Sequence, residues 1–161
     1  DYQTLLDAFK LVNTDTKLRI IGNKNITTND QRIEILGPIE KRELNKQIQK
    51  AKFCVLPLEN RNFSFGQMTL LQQMYFGKAV ITAKVPSMID YVENNRTAIL
   101  YESKNIEELK NSIELLLNDY ELRINLGKNS KMIVNKKFTE NNMAKEIYEF
   151  INEIVKMGKY E

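Results

Sequence analysis

The sequence contains no histidine, and this absence excludes a large part of enzyme chemistry. Ser-His and Cys-His nucleophile pairs need an imidazole base, and most catalytic zinc sites need imidazole ligands. The chain also has no run of carboxylates of the EF-hand type. We therefore expect no metal and no cofactor. Any chemistry has to use backbone amides, hydroxyls, side-chain amides, carboxylates or a partner domain.

Cysteine and long apolar runs are also scarce. The one cysteine, Cys54, lies in the apolar run FCVLPL, where we expect a buried and inert thiol in a reducing compartment. No run approaches the ~20 apolar residues that a membrane-spanning helix needs. The expected location is therefore the cytoplasm, including the inner face of the membrane, with membrane contact at most peripheral.

The charges are nearly balanced, because 24 basic residues face 21 acidic ones among 161, which gives a net charge of +3. No arm or face collects the basic side chains, so we expect no nucleic acid partner. The lysines at 128, 131, 136 and 137 are typical of the solvated side of helices. The length fits one domain over residues 1–161.

Short apolar runs alternate with helical patterns, which predicts an α/β protein with a Rossmann-like parallel sheet and helices on both faces. The predicted strands cover residues 17–22, 32–37, 52–58, 79–83 and 97–101. Helical patterns cover 2–12, 40–51, 69–76, the stretch SMIDYVEN after Pro86, and most of the chain from Asn105 onwards, with Thr139 capping the last helix. Ligands of such folds bind at the carboxyl ends of the strands. The loops after Leu36, Leu58 and Ala83 are therefore expected to converge on a site.

The segment PLENRNFSFGQMT, which leads from the third predicted strand into a helix, is the strongest local candidate for a binding site. The first turn of a helix leaves backbone amides unpaired and partly positive, and Gly66 would let a phosphate approach them closely. Ser64, Gln67 and Thr69 could add side-chain donors, and Gln72 follows one turn later. The alternative is that Ser64 or Thr69 only caps the helix.

The run FGQMTLLQQMYFGKAVITAKVPSMIDYVENNRTAILY resembles the carboxy-terminal domain of retaining GT-B glycosyltransferases of group 1 / family 4, which include sucrose and glycogen synthases. That family shows an acidic residue, a Phe-Gly turn, a second acidic residue, Ala-Met-Ala, and then Gly-Lys-Pro-Val-Ile. The residues that match this pattern are Met74, Gly77, Lys78, Val80 and Ile81. In the same alignment the two acidic positions fall on Ser64 and Gln72.

The resemblance implies the C-terminal half of a GT-B fold, which binds a nucleotide-sugar donor, and gives a role to each residue near the turn. Gln72 would hold the ribose, the backbone at Pro38 and Ile39 would carry the base, and Ser64 would face the sugar at the catalytic position. The backbone amides that would hold the diphosphate and sugar are those of Gly66, Gln67, Met68 and Thr69.

Two departures from the family pattern bear on function. Ser64 and Gln72 replace acidic residues, which removes charge-assisted hydrogen bonds that are roughly twice as strong as neutral ones. The family's domain also begins with a strand in the middle of its sheet, and no such strand precedes the first predicted helix. We therefore expect a fragment without its first strand and N-terminal acceptor domain, and a sheet with a central gap.

These observations predict the donor-binding domain of a retaining, metal-independent glycosyltransferase. Its donor would be a UDP- or GDP-linked sugar, and its acceptor a saccharide or a lipid-linked molecule of glycan or polysaccharide biosynthesis. The cleft would be shared with the protein's own N-terminal domain, so the isolated fragment would transfer nothing. The alternative, motivated by Ser64 and Gln72, is a non-catalytic pseudo-enzyme module with the same fold.

Overall fold

The computed structural model describes residues 1–23, 25–61 and 63–157. Each predicted helix and strand is present in the predicted order. The strands are β1 (Leu18–Ile21), β2 (Ile33–Leu36), β3 (Cys54–Leu56), β4 (Val80–Ala83) and β5 (Ile99–Tyr101). The helices are α1 (Tyr2–Leu11), α2 (Lys41–Lys50), α3 (Gln67–Tyr75), α4 (Pro86–Ile89), α5 (Ile106–Asn118), α6 (Tyr120–Lys137) and α7 (Glu140–Met157).

Two helices differ from the prediction at their ends. α3 begins at Gln67 instead of Thr69, because the left-handed conformation of Gly66 (φ +88°) turns the chain directly into the helix. α4 ends at Ile89, well before the end of the SMIDYVEN pattern. The chain turns after it, and the Glu93 N–H donates to the Thr97 hydroxyl at 2.8 Å. A hydrogen-bonded turn therefore occupies the last part of the predicted helix.

All five strands pair in parallel, and they form two sheets, in agreement with the gap expected in the middle of the sheet. β1 pairs with β2, from Leu18 opposite Ile33 to Ile21 opposite Leu36. β4 lies between β3 and β5 in the second sheet. β1 and β3 do not pair, and no strand of the described ranges lies between them. Each of these two strands therefore has one edge without a strand partner.

A cavity of about 780 Å³ separates the two sheets. Every residue of β1 and of β3 lines it, and it extends from Lys17 and Lys52, just before these strands, to Gly22 and Pro57, just after them. Apolar side chains from α1 and α5 also line it, namely Leu5, Phe9, Ile113 and Leu117. We call the part of this cavity between β1 and β3 the strand gap. It has the length of a strand and an unpaired strand edge on each side.

One buried polar side chain at this cavity has no hydrogen-bond partner among the described residues. Gln73 lines the cavity, is only 8% exposed, and its Oε1 accepts no hydrogen bond from the part of the chain that the structure describes. A buried acceptor that stays unpaired costs about 1–3 kcal/mol. The strand gap therefore has an unpaired strand edge on each side, and Gln73 Oε1 at the same cavity has no donor within the described residues.

The core lies around β4. All four of its residues are buried, and because alternate side chains of a strand point to opposite faces, both faces of this sheet are covered. α3 packs on β4 and on α6, and α5 packs on β4, β5 and α1. The prediction of helices on both faces is confirmed for this sheet.

α7 stands apart from this core. The Thr139 hydroxyl accepts from the Asn142 N–H at 3.2 Å, which confirms the predicted cap. The apolar side chains of the helix are exposed, namely Met143, Ile147, Tyr148, Phe150, Ile151, Ile154 and Val155. No helix in the described residues, α7 included, combines the length and the hydropathy that crossing a membrane requires.

Candidate functional site

The loops at the carboxyl ends of β2 and β3 meet at one end of the cavity of about 780 Å³, which we call the main cavity. Pro38 and Ile39 follow β2 and line it, and Thr69 and Gln72 of α3 line it as well. The structure therefore brings these four predicted residues to one cavity. Gly66, Gln67 and Met68 are not part of its wall, although they begin the same helix.

The N-terminus of α3 is open. Gly66 is the N-cap residue, and no side chain makes a capping hydrogen bond there. The alternative that Ser64 or Thr69 caps the helix is therefore wrong. Within the described residues the backbone N–H groups of Gln67, Met68 and Thr69 have no acceptor, and the first turn carries no acidic residue. Unpaired amides at the positive end of a helix dipole favour an anion.

The position of Gly66 admits no other residue without strain. Its φ of +88° is in the left-handed region, where a side chain costs roughly 1–2 kcal/mol. A Cβ atom there would also lie 3.0 Å from Cδ1 of Leu58, which is buried under the loop. The glycine is thus fixed by backbone conformation and by packing together.

Ser64 lies at a second, smaller cavity of about 230 Å³, formed between the loop after β3 and the start of α4. Its lining residues are Asn60, Arg61, Phe63, Ser64, Pro86 and Ser87. Ser64 and the four residues at the main cavity therefore face different spaces. A ligand that extends beyond the nucleotide would have to reach from one cavity to the other.

Arg61 is a functional candidate that the sequence analysis missed. Its guanidinium pairs with Glu59 at 2.6 Å and holds the pKa of that carboxyl below its usual range. It also lies 5.9 Å from the ring centres of Phe63 and of Phe65. The signal available in the sequence was a single basic residue within PLENRNFSFG. This arginine places a guanidinium, paired with a carboxylate, beside the second cavity.

The described residues contain no group of three or more cysteine, aspartate or glutamate side chains that could hold a metal ion. The groups that converge at the site are amides, hydroxyls and backbone N–H groups. They can bind and orient an anionic, hydroxyl-rich ligand, while the cation Arg61 lies at its edge.

The family model described as "Glycosyl transferases group 1" matches residues 1–132. This chain belongs to the group 1 glycosyl transferases. It is 33% identical over 131 residues to an uncharacterized glycosyltransferase of Methanocaldococcus jannaschii, which covers 81% of this chain and 36% of that protein.

A second relative is the N,N'-diacetylbacillosaminyl-diphospho-undecaprenol alpha-1,3-N-acetylgalactosaminyltransferase of Campylobacter jejuni. It is 26% identical over 109 residues, which cover 68% of this glycosyl transferase chain and 28% of the relative. The chain thus spans about a third of the length of these two relatives.

The solved structure of Anabaena Alr3699/HepE in complex with UDP has a TM-score of 0.79 to this chain at 17% identity. The match covers 94% of the group 1 glycosyl transferase chain and 44% of the Anabaena protein. The same protein has also been solved with UDP-glucose, and that structure has a TM-score of 0.76. At this identity the likeness shows the fold, and it confirms the GT-B type predicted from the sequence.

In this glycosyl transferase Gln72, the residue that the sequence analysis aligns with the family's second acid, is paired with another amide. The Gln72 Nε2 donates to the Asn45 Oδ1 at 2.8 Å, which joins α3 to α2. Sequence analysis missed Asn45, because it lies 27 positions from Gln72 in a helix that is mostly polar. The pair fixes the Gln72 side chain at the wall of the main cavity.

Proposed function

We propose that this chain is the donor-binding domain of a retaining glycosyltransferase that uses a UDP- or GDP-linked sugar. The observation that carries the proposal is the open start of α3, where the left-handed Gly66 precedes backbone amides without acceptors in the described residues. A diphosphate suits such a helix terminus. UDP, the ligand named for the Anabaena protein that shares this fold, supports a nucleotide donor.

The residues around this terminus take the roles that the family resemblance implies. Gln72 binds the ribose, Pro38 and Ile39 carry the base, and the amides of residues 66–69 hold the diphosphate. Ser64 faces the sugar at the second cavity, where Arg61 adds positive charge toward the departing diphosphate. Catalysis then depends on positioning and on stabilising the leaving phosphate, without a metal.

Amide NMR of the protein, titrated separately with UDP, GDP and ADP, tests this function. We expect saturable shifts at Gly66–Gln72 and around Ile39 with only one of the three nucleotides. That result would also identify the base. A well-folded sample whose amides do not shift with any nucleotide would overturn the proposal of a donor site.

We also propose that the complete protein has an N-terminal domain that binds the acceptor. The acceptor would be a saccharide or a lipid-linked molecule of glycan or polysaccharide biosynthesis, at the cytoplasmic face of the membrane. The name of the Campylobacter jejuni relative, which includes an undecaprenol-linked acceptor, supports the lipid-linked case. The exposed apolar side chains of α7 offer a surface for a second domain.

The strand gap supports a further part of this proposal, namely that a strand outside the described residues lies between β1 and β3. Both flanking strands have an unpaired edge, and Gln73 Oε1 lacks a donor in the described ranges. The backbone nitrogen of Asp1 donates to the Pro57 carbonyl at 2.7 Å, so α1 begins beside the carboxyl end of β3. A parallel strand in the gap would end beside the first residue of α1.

The reactivity of Cys54 tests whether the thiol beside the strand gap is buried. Cys54 lines the cavity, and burial raises the pKa of its thiol from 9.0 to about 12. Because the thiolate is the reactive form, this shift slows alkylation at neutral pH. In the protein of full natural length we expect Cys54 to react with iodoacetamide only on unfolding. Rapid alkylation of the native protein, measured by mass spectrometry, would contradict the burial of this thiol.

The rival function is a pseudo-enzyme module that kept the fold for interaction, and the specific observation behind it is the neutral pair of Ser64 and Gln72. Product formation separates the two functions. The protein of full natural length is supplied with sugars linked to the nucleotide that it binds, as donors, and with lipid-linked saccharides as acceptors. We expect it to form product, whereas residues 1–161 alone are expected to transfer nothing. Nucleotide binding without turnover in the full-length protein would favour the module.

A further inference from the structure

The Gln72 amide is paired with a second side-chain amide, a contact that the proposed ribose role does not by itself require. Its Nε2 donates to Asn45 Oδ1 at 2.8 Å. Its Oε1 accepts no hydrogen bond from the described residues, and the side chain lines the main cavity. A side-chain amide has one carbonyl and one NH₂ end. With the NH₂ end held by Asn45, the carbonyl end remains for a ligand.

We propose that Asn45 is a positioning residue that orients Gln72, so that a carbonyl oxygen accepts hydrogen bonds from the ribose hydroxyls. This inference rests on the proposed function and assigns a residue on α2 to ribose selection. A carboxylate at this position offers only acceptors whichever way it turns. A glutamine that is free to turn presents its NH₂ group as readily as its oxygen. In the pair with Asn45 the NH₂ group of Gln72 is the donor, so the neutral side chain keeps its oxygen as an acceptor, as a carboxylate would.

The surroundings of the pair support this role. Asn45 lies on the first turns of α2, directly after the loop that contains Pro38 and Ile39. It is only partly buried, and its own side chain is not part of the cavity wall. Asn45 therefore acts through Gln72. Asn45 therefore connects the loop proposed to carry the base with Gln72, the residue proposed to bind the ribose.

The inference is tested by the preference for ribose over a sugar without hydroxyls. Calorimetry on the protein of full natural length would compare UDP with 2′,3′-dideoxy-UDP, and GDP with 2′,3′-dideoxy-GDP. One neutral hydrogen bond contributes enough to change affinity roughly threefold to tenfold. We expect the wild type to prefer the ribose form by about this factor, and Asn45→Ala to lose most of this preference, because its Gln72 side chain is no longer held in place.

Two further variants separate positioning from a general structural effect. Asn45→Asp keeps an oxygen for the Gln72 Nε2 to donate to, so it is expected to retain the ribose preference. Gln49→Ala removes an exposed amide from the same helix and should leave the preference unchanged. A merely structural role of Asn45 would lower the melting temperature of Asn45→Ala and leave its ribose preference intact.

The outcomes of this experiment are distinct. A wild type that binds UDP or GDP without preferring ribose, or an Asn45→Ala variant that keeps the preference, overturns the role of Asn45 and leaves the proposed function standing. A wild type that binds none of the four nucleotides overturns the proposed function and this inference with it. Loss of the preference in Asn45→Ala, with retention in Asn45→Asp and Gln49→Ala, supports the inference.

Discussion

Replacing Gly127 with alanine is expected to lower the free energy of unfolding by about 2 kcal/mol. α6 passes so close to the turn after α3 that a Cβ on Gly127 would lie 2.1 Å from the Gly77 carbonyl oxygen and 2.9 Å from its carbon. Alanine gains about 1 kcal/mol over glycine within a helix. Overpacking a rigid site costs up to about 3 kcal/mol, so the steric overlap outweighs the gain in helix propensity.

The turn cannot move aside easily, because several contacts hold it. The Lys78 Nζ donates to the carbonyls of Gln49 and Ala51 at 2.7 and 2.8 Å, which ties the turn to the end of α2. The Ser130 hydroxyl, one turn along α6, is 3.3 Å from the Lys78 carbonyl oxygen. Movement of the turn would therefore disturb α2 and β4 as well as α6.

Thermal unfolding of Gly127→Ala provides the measurement, and the expected shift is a decrease of about 4–8 °C in the melting temperature. Lys128→Ala is the matched control, because it changes the next residue of the same helix at an exposed position. Its effect should stay within about 0.5 kcal/mol. Equal stability of Gly127→Ala and the wild type would mean that α6 and the Gly77 turn do not approach so closely.

Elements with strong local signals were predictable from the sequence. β4 is a continuous apolar run because it is buried on both faces, and such runs are typical of central parallel strands. The cap of α5 was also readable, since the Asn105 Oδ1 accepts from the Glu108 N–H at 3.1 Å. Asn105 and Glu108 also have the spacing of a capping box, but the Glu108 Oε2 accepts from the Glu102 N–H and not from the Asn105 N–H.

The features that the sequence did not predict depend on contacts between distant segments. Lys78 follows the glycine that ends α3, a position typical of an exposed lysine, but its ammonium binds carbonyls at the end of α2. The pair of Gln72 and Asn45 likewise joins two helices. Neither contact has a local pattern, because each needs the tertiary arrangement of α2 against α3. The residues of the candidate site on α3 were therefore predictable, whereas the contacts between α2 and α3 were not.

Replacing Gly66 with alanine is expected to weaken nucleotide binding about tenfold to a hundredfold. The left-handed φ of +88° and the 3.0 Å approach to Leu58 both oppose a side chain at this position. The chain would relieve the strain by changing its conformation at the N-cap, which moves the amides of the first turn. Each hydrogen bond from such an amide to a charged phosphate contributes about 1.5–3 kcal/mol, and 1.4 kcal/mol is a tenfold change in affinity.

Gly77→Ala is the matched control for this prediction. Gly77 is also left-handed (φ +68°), but it lies at the opposite end of α3, and a Cβ there would meet only ordinary contacts at 3.6 Å. Backbone strain should therefore lower the stability of both variants, while only Gly66→Ala should weaken the nucleotide. Calorimetric titration of both variants below their melting temperatures makes the comparison.

Wild-type affinity in Gly66→Ala would show that these amides do not hold the diphosphate, because the strain at residue 66 cannot leave their geometry unchanged. Equal losses in both variants would trace the effect to the stability of α3 as a whole.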